Sequence, residues 1–274
     1  MASWLLASHL CFAHGALHER IATLSTQIAA APLNAALRVQ RAELERQHEE
    51  WQAALTDYEM ARQLDPTLDL DFPQGRTLLE SGRPAEALTL LNRFLVRTPG
   101  HPMALVCRAR ALAKSGRRPE ALNDYRAALK STPVPEPDLI VEVADFLTAE
   151  GLEAESLQVC STGIETLGPV PVLVQRAIDL EIATKNYDAA LNRLQIIQLA
   201  APRPEPWMAR RASILAQAGR IQESMVAWQA LVEHLAALPN LERGSPAMSK
   251  LMEEAKQALV SLDSLTESTE APGK

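Results

Sequence analysis

Cysteine is nearly absent, three in 274 residues, and that scarcity removes two ways of holding a chain together. Cys11 lies in an apolar N-terminal stretch. Cys107 and Cys160 stand far apart, with no second thiol or imidazole at metal-ligand spacing, so they read as two packing cysteines without a disulfide. Glycine and aromatics are also few, at 11 residues and 4%. Basic runs are missing, and a net charge of −7 argues against nucleic acid, whose binders carry a basic face. No apolar run is long enough to span a bilayer. The phosphate-binding glycine loop, the dinucleotide fingerprint, the paired histidines of a metalloprotease and the nucleophile elbow are all missing. His48, His101 and His234 fall at repeat turns or helix ends, where no pair of them shares a helix at ligand spacing, and the many carboxylates fall on the solvated faces of amphipathic helices. Neither catalysis, a cofactor nor a structural metal is expected.

What is abundant is Ala, Leu, Arg and Glu, the composition of a helical protein. Residues 102–135 show how those helices are organised. Leu105, Arg108, Ala109 and Leu112 occupy one helical face, and Gly116 ends the helix. Pro119 opens a second helix, where its missing N–H costs nothing, and Leu122, Tyr125 and Leu129 continue the buried side until Pro133 closes the unit. Ala109 and Ala121 fall where two antiparallel helices cross, and a larger side chain there would force the backbones apart.

Small residues at unit positions 8, 20 and 27 (Ala109, Ala121, Ala128), an aromatic at 24 (Tyr125) and a proline at 32 (Pro133) resemble the tetratricopeptide repeat of bacterial-type proteins. The frame recurs six times, from Ala35, Leu68, Pro102, Pro137, Pro171 and Glu205, at intervals of 33, 34, 35, 34 and 34 residues. Ala42, Ala54, Tyr58, Ala61 and Pro66 fill the pattern in the first unit; Gly75, Ala87, Leu91 and Pro99 in the second; Ala144, Ser156, Cys160 and Gly163 in the fourth. The fifth has Ala190, Leu194 and Pro202 but Ile178 at position 8, a departure that predicts wider helix spacing. The sixth has Ala212, Ser224 and Trp228, and its second helix runs on to about Leu238. Trp207, Met208 and Trp228 have core spacing, with a docking patch as the other possibility. The resemblance implies an all-α, right-handed superhelical solenoid of antiparallel helix pairs over residues 35–238, in which each repeat buries its apolar face against its neighbours.

The flanks are read as caps. Leu17, Ile21, Leu24 and Ile28 give residues 14–34 a single apolar face. Ahead of them, Trp4 to Ala13 is an apolar run of signal-peptide length, with small residues at Cys11 and Ala13 for cleavage and export to the periplasm or beyond. The competing reading makes residues 1–34 a seventh repeat of a cytoplasmic protein, turning at Gly15. Cleavage would leave His14 and His18 beside a free amino terminus, a speculative copper site set against two ordinary exposed histidines. At the other end Pro239 to Ser245 reads as a loop. Ser245-Pro246 starts a capping helix that runs to residue 262, with Met248, Leu251, Met252, Ala255 and Leu259 on its apolar face, and residues 263–274 are expected to be disordered.

The family resemblance also implies that a partner would lie against positions 2, 5, 9, 12 and 13 of each first helix. Position 9 reads Glu43, Arg76, Arg110, Asp145, Asp179 and Ser213. Phe72, Leu79, Val106 and Lys114 accompany the arginines; Val141, Thr148, Val172, Gln175 and Ile182 accompany the aspartates. Phe72, Arg76, Leu79, Val106, Arg110, Lys114, Asp145, Gln175 and Asp179 are therefore the candidate partner-binding residues, forming a groove basic toward repeats two and three and acidic toward four and five. The other possibility is that these charges satisfy one another across neighbouring helices. Position 5 holds Val39, Phe72 and Val106 rather than the lysine of the carboxylate-clamp subfamily, so a co-chaperone role does not follow. The expected function is a non-catalytic scaffold for a peptide or protein. The alternative is an accessory subunit that docks an enzyme by its convex face or caps. The sequence does not set the oligomeric state.

Overall fold

The computed structural model describes residues 2–270, with side chains described over 15–198 and 201–265. Among these residues there is no strand, and fifteen helices follow one another in repeat order. The chain separates into two compact units at Pro133 and Val134. The first holds α1 (Ala2–Ala30), α2 (Ala35–Gln47), α3 (Trp51–Leu64), α4 (Asp71–Glu80), α5 (Pro84–Arg97), α6 (Pro102–Lys114) and α7 (Arg118–Ser131). The second holds α8 (Pro137–Ala149), α9 (Glu153–Leu167), α10 (Pro171–Ala183), α11 (Tyr187–Ala200), α12 (Glu205–Gln217), α13 (Ile221–Ala237), α14 (Asn240–Arg243) and α15 (Pro246–Glu270). From α2 to α13 the helices form six pairs, each joined by a three-residue turn, and we call the first of each pair the A helix and the second the B helix.

The turns explain the strictness of the period. The residue with positive φ is Glu49, Gly82, Gly116, Gly151, Lys185 or Gly219 in the six pairs, at the same 33 to 35-residue intervals as the sequence frame. At each, two backbone hydrogen bonds close the end of the A helix. In the third pair, Arg117 N–H donates to Leu112 O at 2.9 Å and Gly116 N–H to Ala113 O at 3.0 Å; in the fifth, Asn186 to Glu181 at 2.7 Å and Lys185 to Ile182 at 2.9 Å. This is a Schellman ending, which satisfies carbonyls the helix would otherwise leave open and turns the chain back.

Packing within each pair rests on small residues. Ala42, Ala54, Ala61, Ala87, Ala109, Ala121, Ala128, Ala144, Ala190 and Ala212 have no exposed surface. Where serine stands at position 20 its hydroxyl is satisfied across the crossing: Ser156 Oγ donates to Ala144 O at 2.7 Å, and Ser224 Oγ to Ala212 O at 2.8 Å. Gly75 and Gly163 mark the tightest approaches. A Cβ on Gly75 would lie 2.9 Å from Leu91 Cγ, and one on Gly163 would lie 2.7 Å from Ile140 Cδ1. Ile178 is buried in a core with Leu194, Leu191 and Ile214, so position 8 of the fifth pair is filled by side-chain packing. Cys107 and Cys160 are buried thiols outside any disulfide, and burial pushes the Cys160 thiol up to about 11.

Four boundaries differ from expectation. Helix α4 starts at Asp71 rather than Leu68, because the Asp65 carboxylate accepts the Thr67 N–H (2.9 Å) and hydroxyl (2.6 Å) and holds the chain in a turn. Residues 2–30 make one continuous helix through Gly15, so no helix-turn-helix forms there. The stretch expected to be a loop after Pro239 contains the short helix α14. Finally, α15 continues through Glu270, past the expected end at residue 262, so the tail is helical over 263–270; residues 271–274 lie outside the described ones. Its start is as read: Ser245 Oγ accepts the Met248 N–H at 3.4 Å, with Pro246 at the first helical position. Met248, Ala255 and Leu262 are buried against Trp228, Leu231 and Leu235 of α13, and Met208 packs on the same cluster. Trp207 packs on the core around Ile178.

Candidate functional site: the A-helix faces

Two polar devices fix the orientation of the A helices in the first unit. Arginine stands at position 7 of the first and third repeats and reaches an aspartate on its own B helix with both arms. Arg41 Nε and Nη2 meet Asp57 at 2.5 and 2.8 Å; Arg108 Nε and Nη2 meet Asp124 at 2.6 and 2.7 Å. Each guanidinium also touches the preceding helix, Arg41 through Ser25 Oγ (3.0 Å) and Arg108 through Asn92 Oδ1 (3.2 Å). Such forked contacts hold three helices at once.

At position 9 of the first repeat, Glu43 gathers three donors: the Tyr58 hydroxyl at 2.5 Å, Arg76 Nη2 at 2.7 Å and Arg46 Nε at 3.3 Å. Burial alone would raise the Glu43 carboxyl, but the Tyr58 hydrogen bond and the two arginines outweigh it, and its pKa is lowered. Arg46 also meets Glu80 at 2.8 Å. Arg76 is thus joined to its own molecule, and its guanidinium carbon stands 5.5 Å from the centre of the Phe72 ring. Phe72 is half-buried and packs with Phe94 (5.4 Å between centroids) and His101 (4.9 Å). His101 Nδ1 in turn accepts the Ala104 N–H at 3.1 Å and caps α6. Beyond this cluster, Met103, Arg110 and Lys114 are exposed along one face of α6.

Two predicted contacts are not available to a partner. Leu79 and Val106 are 4% and 2% exposed, and both pack inside the unit. At position 5, Val106 is buried, whereas Val39, Phe72 and Val141 remain half-buried.

In the second unit, Asp145 is exposed and pairs with Arg176 at 2.7 Å, and Asp179 pairs with Arg210. Both arginines stand at position 6 of the next repeat, so one contact recurs from repeat to repeat. Val172 and Gln175 are exposed beside them, and Val141, Thr148 and Ile182 are half-buried. The acidic side of the candidate face is therefore partly neutralised by residues that positions 2, 5, 9, 12 and 13 do not include. Recurrence of Arg at position 6 in the last two repeats was the sequence signal for it.

The His14 side chain lies outside the described residues; the His18 ring meets the His48 ring edge-on, 4.1 Å between centroids. Among the described residues no group of three His, Cys, Asp or Glu could hold a metal ion, and no helix is long and apolar enough to cross a membrane.

The tetratricopeptide-repeat family model matches residues 72–134, which are α4 to α7 with their turns. Residues 72–134 are a tetratricopeptide-repeat segment within a helical-repeat chain. Solved structures of similar architecture include a tetratricopeptide-repeat protein from Parabacteroides merdae, 16% identical with a TM-score of 0.52, covering 93% of this chain and 98% of that one. PilW, a type IV pilus biogenesis factor, is 18% identical with a TM-score of 0.57 over 67% of this chain and 85% of its own. PilF of Pseudomonas aeruginosa is 14% identical with a TM-score of 0.53 over 80% and 97%. At such identities the likeness is one of fold. No curated protein matches the sequence. In this chain several A-helix charges are spent on one another: Arg76 on Glu43, Arg176 on Asp145 and Arg210 on Asp179.

Proposed function

We propose that this protein is a non-catalytic scaffold that receives a peptide or protein segment on its A-helix faces. The observation that carries the reading is the exposed row on α6, Met103 and Lys114 with Arg110 between them, beside the half-buried Phe72, Phe94 and His101. It combines an apolar anchor with cationic groups on a helix whose ends are capped and whose back is packed. A rigid polar-apolar surface of this kind binds at low entropic cost. Asp145 and Gln175 offer the corresponding polar groups in the second unit.

The paired state of Arg76 changes the choice of test. Reversing its charge would set two carboxylates against each other at Glu43 and disturb the fold. Met103→Asp with Lys114→Glu alters only exposed side chains. Affinity capture of the native partner should fall at least about tenfold in the double variant, with the helical circular-dichroism signal unchanged. Equal capture by both proteins rejects the reading.

The apolar run Trp4 to Ala13 with small residues at Cys11 and Ala13 supports export with cleavage after Ala13. The intact mass of the protein from its native host distinguishes a chain starting at His14 from the full one.

A further inference from the structure

A second feature of the first unit has no part in the A-helix faces. Asp71, the first residue of α4, is buried, and three guanidinium groups converge on its carboxylate. Arg93 meets it with Nε at 2.6 Å and with Nη2; Arg97 Nη2 lies at 2.6 Å and Arg62 Nη2 at 3.1 Å. Arg97 also grips Asp69 with Nη2 at 2.7 Å and Nε at 3.2 Å, and Arg62 Nη2 reaches Gln74 Oε1. Three cations thus share two carboxylates, leaving one positive charge in excess. In each arginine the Nη1 amino group has no hydrogen-bond partner among the described residues. The Arg93 and Arg97 side chains are 50% and 44% exposed, so these donors face water. Val96, 83% exposed, lies with Arg93 and Arg97 at i, i+3 and i+4 on one face of α5.

We propose that this face of α5, Arg93, Val96 and Arg97 with Arg62 beside it, is a second docking surface, and that its occupant is an acidic polypeptide segment carrying an apolar side chain. The carboxylates of Asp71 and Asp69 hold the arginines in place before any partner arrives, so little side-chain entropy remains to be lost on binding. The outer Nη1/Nη2 edge of Arg93 is left open as a fork that matches a carboxylate, and Arg97 adds its Nη1 donor beside it. Val96 supplies the apolar contact a purely ionic site lacks. Charge complementarity selects this occupant over other anions. One excess charge is well short of the four to eight basic residues that hold an anionic membrane, and a chain of net charge −7 has no basic face for nucleic acid.

The test is a fluorescence-anisotropy titration of the full chain with a labelled peptide of sequence Glu-Glu-Leu-Glu-Glu at low salt, repeated with its Gln-Gln-Leu-Gln-Gln counterpart and with phosphatidylserine vesicles. The acidic peptide should bind saturably, weaken as salt is raised, and outcompete the neutral one. Val96→Glu, which changes one exposed side chain and leaves the arginine cluster intact, should weaken binding at least about tenfold, and Arg97→Gln should do the same. Met103→Asp with Lys114→Glu should leave it unchanged, which separates this surface from the A-helix faces. Absence of saturable binding, equal binding by Val96→Glu, loss of binding in the α6 double variant, or binding of vesicles without binding of the peptide each overturns the proposal.

Discussion

At the residue scale the protein's charges matter more for what they hold in place than for what they offer. Burial alone would raise the Asp71 carboxyl, but hydrogen bonds from Arg93 and Arg97 dominate and hold it well below the usual carboxylate range. Asp71→Asn leaves three cations without their shared anion and should cost about 3 kcal/mol in urea unfolding at neutral pH. Because the folded pKa is depressed, that stabilisation is complete above the unfolded value near 4 and is lost as pH falls below it. Glu45 behaves in the opposite sense. Burial and the neighbouring Asp57 push its carboxyl up to about 7, against the Arg41 guanidinium 3.4 Å away. A raised carboxyl favours the folded state only while protonated, so ionised Glu45 is a liability that develops between about pH 4.3 and 7 and is constant above. Glu45→Gln should match the wild type at pH 4 and exceed it by on the order of 2 kcal/mol at pH 8, read from urea midpoints; a constant difference across that range contradicts this. Little of this was legible beforehand. The sequence shows that Arg41 and Asp57 lie 16 residues apart, as do Arg108 and Asp124, yet only the fold reveals that this separation carries an A-helix side chain to its own B helix.

At the scale of elements the sequence was far more transparent, since helix periodicity, the small crossing residues and the turn glycines are local chemistry. Five of the six A helices start where the frame placed them; α4 begins later because the Asp65 turn competes with its first residues. The turns at Glu49 and Lys185 show what glycine does elsewhere, for these two side chains adopt φ of 63° and 58°, where a Cβ is crowded. Lys185→Gly should stabilise the second unit by up to about 1 kcal/mol, whereas Gly116→Ala, at φ 76°, should cost a similar amount; thermal denaturation of the two variants gives both signs. At the crossings, Gly75→Val is expected to lower stability by about 1–3 kcal/mol, because Leu91 Cγ already occupies the space of its Cβ. The caps were legible as elements and not in length: an apolar stripe announces α1 and α15, while polar residues at the end of α15 continue a helix already started.

For the whole molecule, two compact helical-repeat units display A-helix faces that are part ion-pair network and part exposed apolar and charged surface, with a separate arginine-rich edge on α5. The repeat frame was readable because packing positions recur, whereas function rests on the few residues between them, which share no pattern. That difference explains why Arg110, Lys114 and Gln175 are exposed at the predicted positions but Leu79 and Val106 are not. The central claim, that a protein segment lies against the A-helix faces, is tested most directly by site-specific photo-crosslinking in the native host. A photoreactive residue at Met103 or at Gln175 should give discrete adducts with the same partner, and one at the exposed Gln158 of α9, outside both proposed surfaces, should not give that adduct. Adducts at Gln158 with none at Met103 or Gln175 would contradict the account.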